Sequence, residues 1–195
     1  DYDQVEARLA AHFSEDAGLI AAFAGPDDFF CTIATGMFGE TIIKGDPRRQ
    51  ITKNTIYGSI YGAGIETMAR TAGLSPEVMG PIKFAFDARY PGLHQLMEGV
   101  TGAAQLRKAT EGRAYARTPL GREITVKDAR DYALVNYLIQ GTAAEVLKQA
   151  MVELDAIGLG EYLVLPIHDE LLLEVPREMA QEVMHTVERV MSDLT

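Results

Sequence analysis

The sequence predicts an α+β chain, mostly helical, with few and short strands. Three observations predict it. Apolar residues recur at helical spacing through most of the 195 residues. Only two stretches, "GRAYARTPLGREITV" and "EYLVLPIHDELLLEV", read as strand, tight turn, strand. A hydrophobic fraction of 47% supplies one sizeable core, with room for a subdomain and no repeat, low-complexity stretch or linker to divide it.

Each element follows from a local signal. In "DYDQVEARLAAHF", Val5, Leu9, His12 and Phe13 mark one face of a short helix, with Asp1 at or just before its start. The apolar helix "AGLIAAF" comes next, then "DDFFCTIATGMFG", opened by the capping residues Asp27 and Asp28. "GDPRRQITKNTIYGSIYGAG" predicts a helix capped by Asp46, with Pro47 in its first turn and an end near Gly62. "SPEVMGPIKFAFDARY" opens in the same Ser-Pro fashion, and Pro81 is expected to kink or break it. "LHQLMEGVTGAAQLRKAT" reads as helical. The first hairpin turns at Pro119–Arg122. A long helical pattern covers about 127–157, with Leu134, Leu138, Ala143, Leu147, Met151 and Leu154 near one stripe. After the second hairpin Pro176 stops the strand, and an amphipathic helix fills "REMAQEVMHTVERVM".

Composition excludes some classes. The single cysteine, Cys31, rules out an intrachain disulfide and fits a reducing compartment, as a buried thiol. No apolar run approaches a membrane span and no basic-then-apolar leader opens the chain, so a cytoplasmic location is expected. A net charge of −10 argues against nucleic acid, but its distribution does not. Fourteen of the 18 Lys and Arg lie between Lys44 and Arg130, against eight Asp and Glu. A basic middle between acidic ends points to a polyanion for the middle and metal for the ends.

Three short stretches bear chemistry. Asp169 and Glu170 in "PIHDE" repel unless a cation neutralises them, and in a strand neighbouring side chains point to opposite faces. Magnesium suits such a place, since it takes a few carboxylates together with substrate phosphates; the alternative is an exposed acidic turn. Asp1 and Glu6 flank a helix start, and Asp1 with Asp169 would furnish carboxylates from separate segments, as two-metal phosphoryl transfer requires. Arg49, Lys53, Tyr57 and Tyr61 recur every four residues. At 3.6 residues per turn each step drifts only about 40°, so they form one slowly winding stripe. Two cations followed by two aromatics suit a triphosphate at one end and a sugar and base at the other. A solvated basic turn leading to two core tyrosines is the plainer reading.

Together "DYDQVEAR", "RRQITKNTIYGSIYG" and "PIHDE" resemble motifs A, B and C of family A DNA polymerases, the polymerase I-like group with its phage members. They stand in the family's order, and Arg-x3-Lys-x3-Tyr-x3-Tyr-Gly is highly specific. "YLIQGTAAEVLKQAM", Tyr137 to Met151, resembles the family's helix before motif C. The resemblance implies a right-hand polymerase fold, with a helical fingers subdomain inserted in a palm that bears a small antiparallel sheet. Palm would cover 1–26, fingers 27–112 with the motif B helix at 47–61, and palm again 113–195 with the motif C hairpin at 163–175.

The implied activity is DNA-directed DNA polymerase. Asp1 and Asp169 would hold two magnesium ions, with the backbone carbonyl of Tyr2 assisting and Glu170 in support. Arg49 and Lys53 would bind the phosphates of the dNTP, Lys53 also donating a proton to pyrophosphate. Glu6 would be the steric gate against a ribose 2′-hydroxyl, held by Tyr61. Tyr57 would lie beside the sugar 3′ position, in the form associated with acceptance of dideoxynucleotides. His168, Gln140 and Asn136 would meet the primer terminus and minor groove, whose acceptors are nearly independent of sequence. Primer-template DNA is the implied partner. Two positions depart from the family: Phe30 stands where many relatives carry a His, and Tyr132 where bacterial relatives carry an Arg. The family's thumb, first palm strands and exonuclease domain would precede Asp1, so an upstream segment of the same polymerase is an expected partner and the segment alone is expected to show little activity. The other readings are a non-catalytic nucleotide- or DNA-binding fragment of such a polymerase, and a metal-dependent phosphohydrolase using His168 and Asp169.

Overall fold

A computed structural model describes residues 1–126 and 133–192. Tyr132 and the first residues of the helical pattern starting at Lys127 lie outside them. The chain divides into two compact units, one of Asp1–Val5 with Gln140–Thr195, the other of Glu6–Ile139.

The larger unit is built of helices, three of which, α2, α3 and α4, are opened by an aspartate that accepts from free N–H groups of the first turn. Helix α1 spans Val5–Ser14, α2 Ala17–Ala24 and α3 Phe29–Phe38. Asp16 caps α2, accepting from the N–H groups of Gly18 and Leu19. Of the two aspartates before α3 the cap is Asp28, which accepts from Cys31 N–H. On α1 Leu9 and Phe13 of the expected face pack half-buried against the core, but the fully enclosed residues are Ala7, Ala10 and Ala11, and His12 is exposed. Small residues let this helix approach its neighbours closely, and the larger apolar side chains fill the flanks.

Helix α4, Pro47–Ile60, starts as expected, with Asp46 accepting from Arg48 N–H and Pro47 in the first turn. An unexpected helix, α5, covers Ile65–Ala72 between two glycines and buries Met68 and Ala69 against Met79. It is too short for periodicity to announce it. Helix α6, Pro76–Arg89, continues through Pro81 without the break that was one of the two expected outcomes there. Pro81 is the sixth residue, so the hydrogen bond it lacks would have reached only Glu77 in the first turn. Met79 and Phe86, both fully buried, hold the helix on either side of it. Helix α7, Pro91–Glu111, ends on Gly112 in the left-handed region, φ 78°. Strands β1, Tyr115–Arg117, and β2, Glu123–Thr125, then pair antiparallel with Ala116 opposite Ile124. The core of this unit centres on Phe29, Phe30, Ile33, Ile56, Ile60 and Phe86.

Helix α8, Leu134–Ala156, begins in the larger unit and continues in the smaller. Of its predicted stripe, Leu134, Leu138, Leu147 and Leu154 are buried, while Ala143 and Met151 are partly so. A 3-10 turn at Gly160–Tyr162 leads into strand β3, Leu163–Ile167, which pairs antiparallel with β4, Glu170–Leu173. The register sets Ile167 opposite Glu170 and carries a bulge between Leu163 and Leu165. Helix α9, Ala180–Ser192, closes the described chain. No helix among the described residues is long and apolar enough to cross a membrane.

Candidate active site

In the smaller unit the site is a turn. With Ile167 paired to Glu170, only His168 and Asp169 remain to connect β3 and β4. His168 takes a left-handed conformation, φ 54°. Asp169 is therefore in the turn and not in a strand, so the opposite-face rule begins only with Glu170, the first residue of β4. The Tyr2 N–H donates to the Asp169 carbonyl at 3.0 Å. That bond fastens Asp1, one residue earlier, beside the turn that bears Asp169. The two carboxylates are hard oxygen donors, of the kind magnesium takes together with phosphate and water. Among the described residues no group of three or more His, Cys, Asp and Glu is assembled as a metal cage.

The Tyr2 side chain faces inward. Its hydroxyl is buried without a hydrogen-bond partner. Burial, with a smaller contribution from the nearby Glu153 carboxylate, pushes the phenol up to about 12. Gln140, next along α8 within this unit, is exposed.

The larger unit holds the stripe on α4. That helix buries Thr52, Thr55, Ile56, Ser59 and Ile60, leaving Arg49, Lys53 and Tyr57 half-buried along the edge of the core and Tyr61 exposed. Neither tyrosine is a core residue. Phe30, 1% exposed, forms the floor: the Arg49 guanidinium lies 5.2 Å from its ring centre, Lys53 Nζ 5.5 Å, and the Tyr57 ring 6.1 Å. Lys53 also stands 5.9 Å from the Tyr57 ring, and the rings of Tyr57 and Tyr61 are 6.0 Å apart. Tyr61 Oη donates to Glu6 Oε2 in a short hydrogen bond. Arg49, Lys53 and Tyr57 thus stand by Phe30, and Tyr61 and Glu6 continue the row beyond Tyr57.

Arg49 is engaged. Its Nε and Nη2 donate to the two oxygens of Asp28 at 2.9 and 2.8 Å. The guanidinium holds the Asp28 carboxyl well below the usual carboxylate range. Sequence reasoning read Asp28 only as a cap; nothing in the 20 intervening residues signals this pairing. Asn136, on the first turn of α8, has its side-chain carbonyl oxygen buried without a partner.

Helices with two small antiparallel hairpins make this an α+β chain. The chain belongs to DNA polymerase family A, whose model matches residues 1–195. It is 33% identical over 193 residues to a DNA polymerase of Mycobacterium phage D29, covering 99% of this chain and 31% of that protein. It is 31% identical over 208 residues to DNA polymerase I of Pseudomonas aeruginosa, 98% of this chain and 22% of the relative. Among solved structures it matches the POL domain of Pol1 from M. smegmatis, in complex with DNA primer-template and dNTP. The TM-score is 0.84 at 30% identity, covering 98% of this chain and 35% of that one. The chain therefore spans a third or less of the curated relatives just named.

Proposed function

We propose that this segment carries the nucleotidyl-transfer centre of a DNA-directed DNA polymerase, which joins a dNTP to a primer 3′-hydroxyl by a two-metal mechanism. The observation that carries the proposal is the Tyr2–Asp169 hydrogen bond, which fastens the chain's first carboxylate to the turn bearing the other. Asp1 and Asp169 would hold two magnesium ions, with the Tyr2 carbonyl and Glu170 in support. When bound, the ions supply Lewis acidity at the 3′-hydroxyl and neutralise charge on the triphosphate. Arg49 and Lys53, the cations over Phe30, bind phosphate oxygens, and Lys53 protonates the departing pyrophosphate. Glu6, held by Tyr61, occupies the space of a ribose 2′-hydroxyl, and Tyr57 lies beside the 3′ position of the sugar. His168, Gln140 and Asn136 bind primer-template DNA, and the unpaired Asn136 oxygen is an acceptor for such a contact.

In this reading residues 1–26 and 113–195 belong to the palm and 27–112 to the fingers. A thumb and exonuclease segment of the same polymerase is a further partner, and the cytoplasm of a bacterial or phage-infected cell the place of work. Magnesium-dependent primer extension tests the proposal, using the chain alone and joined to its upstream segment. Extension in either form that Asp169→Ala abolishes is the expected result. Extension that survives Asp169→Ala refutes the carboxylate assignment. Binding of primer-template and dNTP with no extension in either form makes this a non-catalytic binding segment.

A further inference from the structure

Asp28 has two occupations. As the cap of α3 it accepts from Cys31 N–H at 3.0 Å, which fixes its carboxylate to a rigid helix end. The same carboxylate takes Nε and Nη2 of Arg49 in a paired, parallel arrangement. Such a fork consumes one edge of a guanidinium and orients the other. The Cys31 thiol lies within reach of the guanidinium, whose Nη1 edge has no carboxylate or carbonyl partner among the described residues, and whose plane rests by the Phe30 ring. Both partners are largely enclosed, with side chains 24% and 11% exposed for Arg49 and Asp28. The pair is therefore poorly screened and holds one geometry. Lys44 Nζ adds a second, looser cation 3.9 Å from Asp28 Oδ2.

We infer that Asp28 is a positioning residue for nucleotide binding: it clamps Arg49 by one edge so that the opposite edge is presented to the phosphates of the incoming nucleoside triphosphate. The inference rests on the phosphate role proposed above for Arg49. A flexible arginine must be ordered at the moment of binding, whereas this one is ordered in advance. The carboxylate also carries a charge that repels phosphate. Its net effect therefore decides between clamp and competitor, and the two have opposite signs in an experiment.

The experiment is the dissociation constant of magnesium–dATP for the full chain, by equilibrium dialysis, in wild type, Asp28→Asn, Arg49→Ala and the double variant. Asparagine keeps the α3 cap, so the helix is retained and checked by circular dichroism. Asp28→Asn is expected to weaken binding about tenfold, with little further loss when added to Arg49→Ala, because the clamp then has nothing to hold. Unchanged or tighter binding in Asp28→Asn overturns the inference, tighter binding marking Asp28 as a competitor. An equal loss in both backgrounds overturns it too, since a merely structural role adds independently. If Arg49→Ala itself leaves binding unchanged, or the wild-type chain binds no dATP, the phosphate role beneath the inference falls.

Discussion

Asp16 is the residue whose loss the larger unit should feel most. It is 7% exposed. Its Oδ1 accepts from Gly18 and Leu19 N–H at 3.0 and 3.1 Å, and its Oδ2 from Gly92 N–H at 2.9 Å. One carboxylate therefore caps α2 and also meets the first turn of α7, 76 residues further on. Gly92 permits this because a Cβ there would stand 2.8 Å from Asp16 Cβ and Ser14 O. Removing a cap costs about 1 kcal/mol. Losing a buried hydrogen bond to a charged acceptor costs a further ~1.5–3 kcal/mol, because the Gly92 N–H is left without a partner. Asp16→Ala should thus destabilise the chain by about 3 kcal/mol, a large share of the ~5–15 kcal/mol typical of a domain. With an m-value of about 2 kcal/mol/M the urea midpoint falls by roughly 1.5 M. Asp16→Asn keeps an oxygen for α2 but turns an amide toward Gly92, and should lose about half as much. A shift below about 0.3 M in Asp16→Ala would refute the double-cap reasoning.

Three further outcomes are expected. Tyr2→Phe removes a buried hydroxyl that finds no partner, so it should raise stability at pH 7 by about 1 kcal/mol. The wild-type phenol titrates near 10.0 when unfolded and is held up to about 12 when folded. The folded chain thus binds more protons across that window, and its stability falls as pH rises through it. Tyr2→Phe should be flatter there, and parallel urea midpoints for the two proteins between pH 9 and 12 would sink the idea. Glu6→Ala, in a primer-extending form, should raise incorporation of ribonucleotides relative to deoxynucleotides by at least tenfold, on the order expected when a positioned steric and hydrogen-bonding contact is lost; an unchanged ratio in competition assays removes Glu6 from the gate. Tyr57→Phe should reduce termination by dideoxynucleotides, and equal termination ladders would refute the placement of Tyr57 beside the 3′ position.

Much of the fold and most of the candidate residues were legible in the sequence, because caps and spacing are local. Asp46 followed by Pro47 marked the start of α4 to the residue, and a four-residue repeat marked its stripe. What escaped depends on packing or on distant pairing. The break at Pro81 does not occur, because its cost depends on how far into a helix it lies and on what holds that helix. The burial of Ala7, Ala10 and Ala11 on α1 was missed because alanines carry little hydrophobic signal yet permit close approach. Asp28 looked like one cap among several until the fold brought Arg49 to it. Asp16 drew no notice, since its second partner is 76 residues away.

The turn at His168 shows why the motif C letters read as they do. A two-residue hairpin needs a left-handed residue, and glycine or asparagine supplies one at least cost. Histidine at φ 54° is held there at a cost of about 1–3 kcal/mol. The stability of the hairpin does not account for it, because a glycine would form the same turn with less strain. The turn does, however, place Asp169 where its backbone carbonyl faces the Tyr2 N–H, which it takes at 3.0 Å while leaving the carboxylate out of the strand ladder. A longer loop would free both side chains but loosen that tie. A tight turn with histidine keeps the tie, so the strain falls at the residue before Asp169, where the proposed chemistry needs a fixed frame.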